Sequence, residues 1–228
     1  DQPTLVQSSP HRQILSRMPW SGKGDSFWLS WNGDAMSGAM RRVLVNSFLF
    51  TALLAMVAGA AWGGIRIMPL GDSITEGNNG DVTYRYVLWR LLRDSGMAVD
   101  FVGTKHGVKS GVPAHPDFDQ DHQGTWGISV EQVLSKVGSW ARANRPDIVL
   151  VNLGTGDLAQ GSRVSSVVGG IARIVDSLRV VNPEVNVLLA KLSCGGAEVE
   201  RFNRGIAHLA DSIATSRSLV AVVDPATK

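Results

Sequence analysis

The sequence predicts an α/β protein, a three-layer α/β/α sandwich around a five-stranded parallel sheet. Short apolar runs rich in Val, Ile and Leu recur along the chain, and longer stretches with helical periodicity separate them. The apolar runs are continuous rather than alternating, which is typical of strands buried on both faces. Strands that alternate with helices form right-handed crossovers and therefore a parallel sheet.

The elements follow in order along residues 65–223. Strands are predicted at residues 65–70, 99–102, 148–153, 185–190 and 219–223. Helices are predicted at residues 84–95, 129–143, 164–181 and 198–216. Apolar residues in the second helix recur at three- and four-residue spacing on one face: Val130, Val133, Leu134, Val137 and Trp140. The one long loop, residues 105–123, leads out of the second strand and should lie over the carboxyl-terminal edge of the sheet.

Composition and charge indicate a globular protein and argue against a nucleic-acid partner. Of the 228 residues, 44% are hydrophobic and 18% are charged, which excludes a disordered or fibrous chain. The formal net charge is +2, and Lys and Arg are scattered instead of forming the basic stripe that binds phosphate backbones. The single cysteine, Cys194, cannot form an internal disulfide, and we interpret it as a buried small hydrophobe.

Residues 40–61 have the layout of a secretory signal peptide. Arg41 and Arg42 precede an apolar stretch at residues 43–57, and the small residues at 58–60 fit a cleavage pattern. We therefore expect a secreted, extracellular protein; the alternative is an uncleaved, single-pass membrane anchor with a cytoplasmic tail. Residues 1–39 show no sustained period and are interpreted as disordered or as sequence upstream of the true start. The folded domain is expected over residues 62–228.

Ser73 is a candidate nucleophile because it directly follows the first predicted strand, in the stretch IRIMPLGDSITEG. Ligands of such sheets bind at the carboxyl ends of the strands, and N–H groups at the start of the next helix would face an oxyanion there. Asp157 follows the third strand at the same edge. The alternative for Ser73 is a helix cap, since Ser73 and Glu76 match a capping box. The local pattern leaves both interpretations open.

Four blocks of sequence, in order, carry a family resemblance. They are MPLGDSITEG with TYRYVLWRLL, then DFVGT, then DHQGTWGISVEQV, and then PDIVLVNLGTGDL. With these blocks the chain, from about Ile65 onward, resembles the SGNH (GDSL) hydrolases and most closely the carbohydrate esterases of family three, typified by acetyl xylan esterases. The resemblance implies the flavodoxin-like fold of those hydrolases, and it implies neither a metal nor an organic cofactor.

The resemblance also implies roles for individual residues. Ser73 would attack an ester carbonyl to form an acyl-enzyme, which water then cleaves. The backbone N–H groups of Ser73 and Gly127 would bind the oxyanion. Asp72 would be a structural acceptor that fixes the turn around the nucleophile. Arg85 would either help to shape the pocket or lie exposed on its helix.

Two features depart from the family pattern. The family's third block reads Gly-x-Asn-Asp, and its Asn amide completes the oxyanion hole, whereas this chain has Gly156 there, followed by Asp157. The family's Asp-x-x-His would lie beyond Lys228, so we expect a domain without its C-terminal catalytic segment and an impaired esterase. Asp119 and His122 match Asp-x-x-His within the long loop. His122 would then be a substitute base or, as we favour, a histidine at the pocket rim.

These features support a serine ester hydrolase that removes acetyl groups from polysaccharide, with an acetylated polysaccharide or a small ester as substrate. A non-catalytic carbohydrate-binding protein on the same fold is the alternative, favoured by Gly156 and the missing histidine. A lipid esterase is a third possibility, although residues 105–123 are polar and provide no apolar lid. Trp126 would stack on a sugar or pack against the loop. No stable membrane partner is expected unless residues 43–61 form an uncleaved anchor.

Overall fold

The computed structural model describes residues 64–193 and 195–225. The predicted N-terminal tail at residues 1–39, the predicted signal peptide or anchor at residues 40–61, and Cys194 lie outside the described residues. Within the described part, no helix combines the length and the apolar character needed to cross a lipid bilayer.

Strand β1 lies at the centre of the sheet. The strands are β1 (Ile65–Gly71), β2 (Val99–Phe101), β3 (Lys105–His106), β4 (Asp121–Gly124), β5 (Ile148–Asn152), β6 (Asn186–Ala190) and β7 (Val220–Val223). The order across the sheet is β3-β4-β1-β5-β6-β7, and β2 also pairs with β1. On one side, β1 pairs first with β2, where Ile65 lies opposite Val99, and then with β4, where Gly71 lies opposite Gly124. On its other side it pairs with β5, and these pairings are all parallel.

The predicted fold class is confirmed, and each of the five predicted strands is present. The predicted count of five is wrong, however, because the sheet has seven strands. The two additional strands lie at the ends of the predicted loop: β3 and β4 pair antiparallel, with Lys105 opposite His122. These strands carry mostly polar side chains, so no apolar run marks them in the sequence.

The helices lie between the strands, as the sequence predicts. They are α1 (Ser73–Glu76), α2 (Tyr84–Asp94), α3 (Val130–Leu134), α4 (Val137–Asn144), α5 (Thr155–Ala159), α6 (Val164–Val181) and α7 (Ala197–Ile213). The predicted helix at residues 129–143 is interrupted at residues 135–136 and forms α3 and α4. Helix α3 begins at a capping box in which Ser129 and Gln132 bond to each other's backbone N–H groups.

Alternating side chains of the strands supply two apolar layers, one on each face of the sheet. On one face, side chains such as Met68 and Val149 pack against α3, α4, α6 and α7 in the larger core. On the other face, Ile67, Phe101 and Ile148 pack with Leu92 of α2. Helices on both faces explain why the central strands are apolar throughout. The sheet therefore presents only the ends of its strands for chemistry, and the carboxyl ends of β1, β4 and β5 meet at one edge.

Candidate active site

Ser73 begins the short helix α1 at the carboxyl end of β1. The helix cap is the preceding residue, Asp72, whose Oδ1 accepts a hydrogen bond of 3.0 Å from the backbone N–H of Ile74. The capping box considered for Ser73 and Glu76 is therefore wrong, because Glu76 does not bond back to the cap and the Ser73 hydroxyl takes no part in it. The hydroxyl of Ser73 lies at the edge of the sheet, half-buried.

The buried carboxylate of Asp72 connects the Ser73 turn to α5. Besides the Ile74 N–H, it accepts a hydrogen bond from the side chain of Thr155, the first residue of α5. Burial raises the pKa of Asp72, and the nearby Asp157 raises it further, while these hydrogen bonds act in the opposite direction. Asp72 is thus a structural acceptor in the turn, as the resemblance implies.

Asp157, in α5, is also an acceptor for a backbone N–H group at the start of a helix. Both of its carboxylate oxygens lie 3.2 Å from the backbone N–H of Val130, at the start of α3. Burial raises the pKa of Asp157, and the hydrogen bond from Val130 opposes that rise. Asp157 therefore links α5 to the start of α3, three residues after Gly127.

Two glycines allow the turn around Ser73 to pack tightly against the strand ends. A Cβ atom on Gly71, the last residue of β1, would overlap the side chain of Thr75 and the carbonyl oxygen of Asn152. A Cβ atom on Gly124, at the end of β4, would lie 2.6 Å from the backbone nitrogen of Glu76. Helix α1 can therefore sit directly on the strand ends only because these positions have no side chain.

Arg85 is fully buried and holds α1 against the long connection between β2 and β4. Its guanidinium donates hydrogen bonds to four backbone carbonyl oxygens, at Thr75 (2.8 Å), Glu76 (3.1 Å), Gly107 (2.6 Å) and Gln120 (2.7 Å). Burial lowers the pKa of Arg85 to about 10. Of the two positions considered for Arg85, the exposed one is wrong, because its helix turns the side chain inward.

Gly127 lies at a turn beside the end of β1. The Thr125 N–H donates a 2.9 Å hydrogen bond to the carbonyl of Gly71, and the Ile128 N–H closes the turn onto Thr125 at 3.2 Å. Gly127 has a φ of 71°, which a residue with a side chain rarely adopts. Its own N–H bonds to no acceptor in the part of the chain that the structure describes, so it is free to meet a ligand.

Glu76, itself the last residue of α1, joins this turn to α1, a role that the sequence did not predict. Its Oε2 accepts a 2.5 Å hydrogen bond from the backbone N–H of Trp126, and its Oε1 forms a 2.7 Å ion pair with Lys105. The partners are 50 and 29 residues away in sequence. No local pattern in the sequence could have identified contacts at such separations.

Gly156 lies in the first turn of α5, on the same edge of the sheet. The nearest atom that a Cβ on Gly156 would meet is Nε2 of Gln160, at 4.0 Å. The backbone there therefore leaves space for a side chain, although the chain carries none.

His122 lies inside the protein on β4, so its predicted position at the pocket rim is wrong. Its Nδ1 accepts a 2.9 Å hydrogen bond from the Gly124 N–H, and the ring also hydrogen-bonds to the backbone of Gly107. Burial, helped by the charge of Arg85, lowers the pKa of His122 to about 3. A neutral ring with both nitrogens occupied cannot take a proton from Ser73, so the substitute-base hypothesis is also wrong.

The match of Asp119 and His122 to Asp-x-x-His does not create a catalytic pair. Asp119 accepts hydrogen bonds from the backbone N–H groups of Phe101 (2.7 Å) and Asp121 (3.2 Å). Its carboxylate therefore anchors the strand ends instead of orienting the imidazole of His122.

The other described histidines also have structural or solvent-exposed positions. His106 pairs with Asp121 at 2.7 Å across β3 and β4, His115 stacks on Tyr86, and His208 is exposed on α7. Among residues 64–193 and 195–225, moreover, no cluster of three or more His, Cys, Asp or Glu side chains could hold a metal ion.

Exposed apolar side chains lie in the segments around Ser73. Ile74 is 40% exposed, Trp126 is 45% exposed and Val112, in the long connection, is 65% exposed. The ammonium of Lys109 lies 4.3 Å from the centre of the Trp126 ring, and the Lys109 N–H bonds to the Gly77 carbonyl just after α1. The candidate site therefore has an aromatic and apolar rim with a cation beside it.

Comparison with known proteins finds a matching family and similar solved structures over most of the chain. The model of the GDSL-like lipase/acylhydrolase family matches residues 70–227. Among solved structures, the chain is similar to a serine-to-alanine mutant of an acetyl esterase with an acetate ion. The identity is 29% and the TM-score is 0.63, and the match covers 70% of this chain and 79% of that one. It is similar to a family 3 carbohydrate esterase from Talaromyces cellulolyticus, at 30% identity and a TM-score of 0.62, with the same coverage.

Two bacterial proteins extend this comparison. The family 3 carbohydrate esterase of Clostridium thermocellum is 29% identical, with a TM-score of 0.61, over 70% of this chain and 77% of that one. A multidomain esterase of Ruminococcus flavefaciens is 29% identical over 119 residues, which is 45% of this chain. The match spans only 16% of the length of that multidomain protein.

Proposed function

Because the chain belongs to the GDSL-like lipase/acylhydrolase family, we propose that it is a serine ester hydrolase whose nucleophile is Ser73. Membership of this family confirms the resemblance seen in the sequence. The observation that carries the proposal is the placement of Ser73 at the end of β1, with its hydroxyl outside the helix cap and the free N–H of Gly127 on the adjoining turn.

In the proposed reaction, the oxygen of Ser73 attacks the ester carbonyl carbon. Solvent water takes the hydroxyl proton, because His122 is buried with both ring nitrogens occupied. The carbonyl oxygen becomes an oxyanion, which the backbone N–H groups of Ser73 and Gly127 would stabilise. Collapse of this intermediate breaks the bond to the leaving oxygen, which takes a proton from water and departs as the alcohol, and an ester of Ser73 remains. Water then attacks that ester, releases the carboxylic acid and restores the serine hydroxyl.

We expect the reaction to be slow, because Gly156 offers no side-chain donor to the oxyanion. Loss of one such donor typically lowers kcat by about 10²–10³-fold. The two backbone donors would remain, so the oxyanion hole would be weakened and not removed.

The substrate that we propose is an acetylated polysaccharide. The support is the similarity to carbohydrate esterases of family 3 and to an acetyl esterase, together with the exposed ring of Trp126 at the site's rim. A partly exposed aromatic ring is suited to stacking on a sugar ring, and the acyl group would then lie toward Ser73. Residues 40–61, which precede the described part, support export to the compartment where such polysaccharides occur.

A second candidate function is carbohydrate binding without catalysis. It is favoured by one specific observation: Gly156 occupies a position with space for a side chain, yet carries no donor. In that case the exposed ring of Trp126 would still bind a saccharide, while Ser73 would not react.

Hydrolysis and binding assays on the full chain distinguish the two functions. The chain, Ser73→Ala and the control Ser212→Ala, which removes an exposed hydroxyl on α7, are assayed with 4-nitrophenyl acetate and with acetylated xylan. Loss of acetate release in Ser73→Ala alone supports the hydrolase. Absence of release from the unmodified chain, together with calorimetric binding of the xylan, supports the second candidate, and absence of both contradicts the proposed substrate.

A further inference from the structure

The side chain of Glu76 joins the nucleophile helix to the turn at residues 125–128 through a hydrogen bond. Its Oε2 accepts a hydrogen bond from the Trp126 N–H at 2.5 Å, and this carboxylate is largely buried. A buried carboxylate that accepts a backbone N–H forms a charge-assisted hydrogen bond, which is roughly twice as strong as a neutral one. The contact therefore restrains the residue immediately before Gly127.

The turn itself depends on the orientation of the peptide group between Trp126 and Gly127. The Ile128 N–H bonds to the Thr125 carbonyl, and Gly127 has a φ of 71°, which together identify a type II turn. Types I and II differ by a reversal of this central peptide group. Since the N–H of that group belongs to Gly127, the turn type decides on which side of the turn the donor lies.

Ser73 and Glu76 are the first and last residues of the same helical turn, α1. The distance between the nucleophile and the carboxylate is therefore set by helix geometry and by the close contact of α1 with β4 at Gly124. Any group that Glu76 holds keeps a fixed position relative to Ser73.

Glu76 is in turn held from two directions. Lys105, at the start of β3, forms the 2.7 Å ion pair with its Oε1, and Arg85 donates to its backbone carbonyl at 3.1 Å. Lys105 holds the carboxylate and Arg85 holds the backbone of the same residue, so Glu76 has little freedom to turn away from Trp126.

We propose that Glu76 is a positioning residue, which orients the Gly127 N–H toward the oxyanion by holding the Trp126 N–H, with Lys105 as its support. The inference rests on the proposed ester hydrolysis, because it concerns the oxyanion hole of that reaction. Glu76 touches neither substrate nor nucleophile and acts through the backbone of the turn.

The test compares Glu76→Gln, Glu76→Asp and the control Glu184→Gln in the full chain. Glu184 forms an exposed ion pair with Arg217, so the control makes the same chemical change and also removes an ion pair. With 4-nitrophenyl acetate, Glu76→Gln should lower kcat by about 10-fold and leave KM unchanged, because a neutral acceptor holds the turn less firmly. Glu76→Asp keeps the charge but is one methylene shorter, and should lower kcat at least as much.

A second measurement follows the turn without relying on turnover. Hydrogen exchange of the Trp126 amide, resolved by NMR, should be about 10-fold faster in Glu76→Gln and Glu76→Asp than in the unmodified chain, and unchanged in Glu184→Gln. If Glu76→Gln does not fold, the exchange rate of the Trp126 amide in Glu76→Asp still tests the contact.

The outcomes separate this inference from the proposed function. If the unmodified chain hydrolyses the ester and both Glu76 variants keep its kcat, the positioning role is wrong. If full activity returns in Glu76→Asp, Glu76 supplies only charge, and the positioning role is again wrong. If the unmodified chain releases no acetate, the hydrolase proposal fails, and the exchange of Trp126 alone decides whether Glu76 holds the turn.

Discussion

Gly124 at the end of β4 lies directly against the backbone of Glu76, and a Cβ atom there would be 2.6 Å from the Glu76 nitrogen. The contact explains how α1 approaches the strand ends closely enough for Glu76 to reach Trp126. It also couples the position of Ser73 to the packing of β4, since both glutamate and serine belong to α1.

Gly124→Ala should therefore destabilise the protein. The added methyl group has no space, and overpacking of this kind costs about 1–3 kcal/mol of unfolding free energy. Urea denaturation followed by circular dichroism measures the change. The matched control is Gly169→Ala in α6, where a Cβ meets no atom within 4 Å and the helix should gain about 0.5–1 kcal/mol. Equal effects in the two variants would contradict the packing interpretation.

Gly156→Asn should increase ester hydrolysis. An amide at this position would restore the donor that Gly156 lacks, and one oxyanion-hole donor is worth about 10²–10³-fold in kcat. The backbone has space for the side chain, because its Cβ would meet only Gln160, at 4.0 Å. Steady-state kinetics with 4-nitrophenyl acetate measure the gain.

Gly156→Ala is the control for this variant, since it adds the Cβ without a donor. The alanine variant should keep the kcat of the unmodified chain. A rise in both variants would mean that reduced backbone flexibility, and not the amide, is responsible.

The sequence predicted the layers of the fold because the central strands are buried on both faces and read as continuous apolar runs. Strands β3 and β4 were not predicted, because they consist of polar residues such as His122 and Gln123. Backbone pairing with neighbouring strands holds them in place. In the candidate site, the position of Ser73 follows from the strand that precedes it. The burial of Arg85 depends on carbonyls 9 to 35 residues away, and the contact of Glu76 with Trp126 spans 50 residues, so no local pattern reports them.

Arg85→Met should destabilise the protein strongly. The variant removes the donors to four backbone carbonyls, and each buried acceptor left unsatisfied costs about 1–3 kcal/mol, so a loss of about 3 kcal/mol or more is expected. Arg85→Lys should be intermediate, because a compact ammonium cannot reach all four carbonyls that lie around the edge of the planar guanidinium. Thermal and urea unfolding measure both effects. Arg142→Met, on the exposed face of α4, should change the unfolding free energy by less than about 0.5 kcal/mol.

His122 should make the folded state sensitive to acid. Its pKa is lowered to about 3 in the folded protein, compared with a usual value of 6.5. Well above pH 6.5 the imidazole is neutral in both states and has no effect on the pH dependence. Below pH 6.5 the unfolded chain binds a proton that the folded protein does not, so stability falls as the pH decreases from about 6.5 toward 3. The slope for one such group approaches about 1.4 kcal/mol per pH unit.

His122→Asn tests this relationship, because the Asn Oδ1 can replace Nδ1 as the acceptor for the Gly124 N–H but does not titrate. Urea unfolding at several pH values between 4 and 7 should show a flatter dependence for the variant than for the unmodified chain. The raised pKa values of Asp72 and Asp157 act in the opposite direction, since a buried carboxyl favours the folded state as it gains a proton, and both groups are present in each protein. Their contribution therefore cancels in the difference. His208→Asn, on the exposed surface of α7, should keep the original slope, and an equal flattening in that control would show that burial of His122 is not the cause.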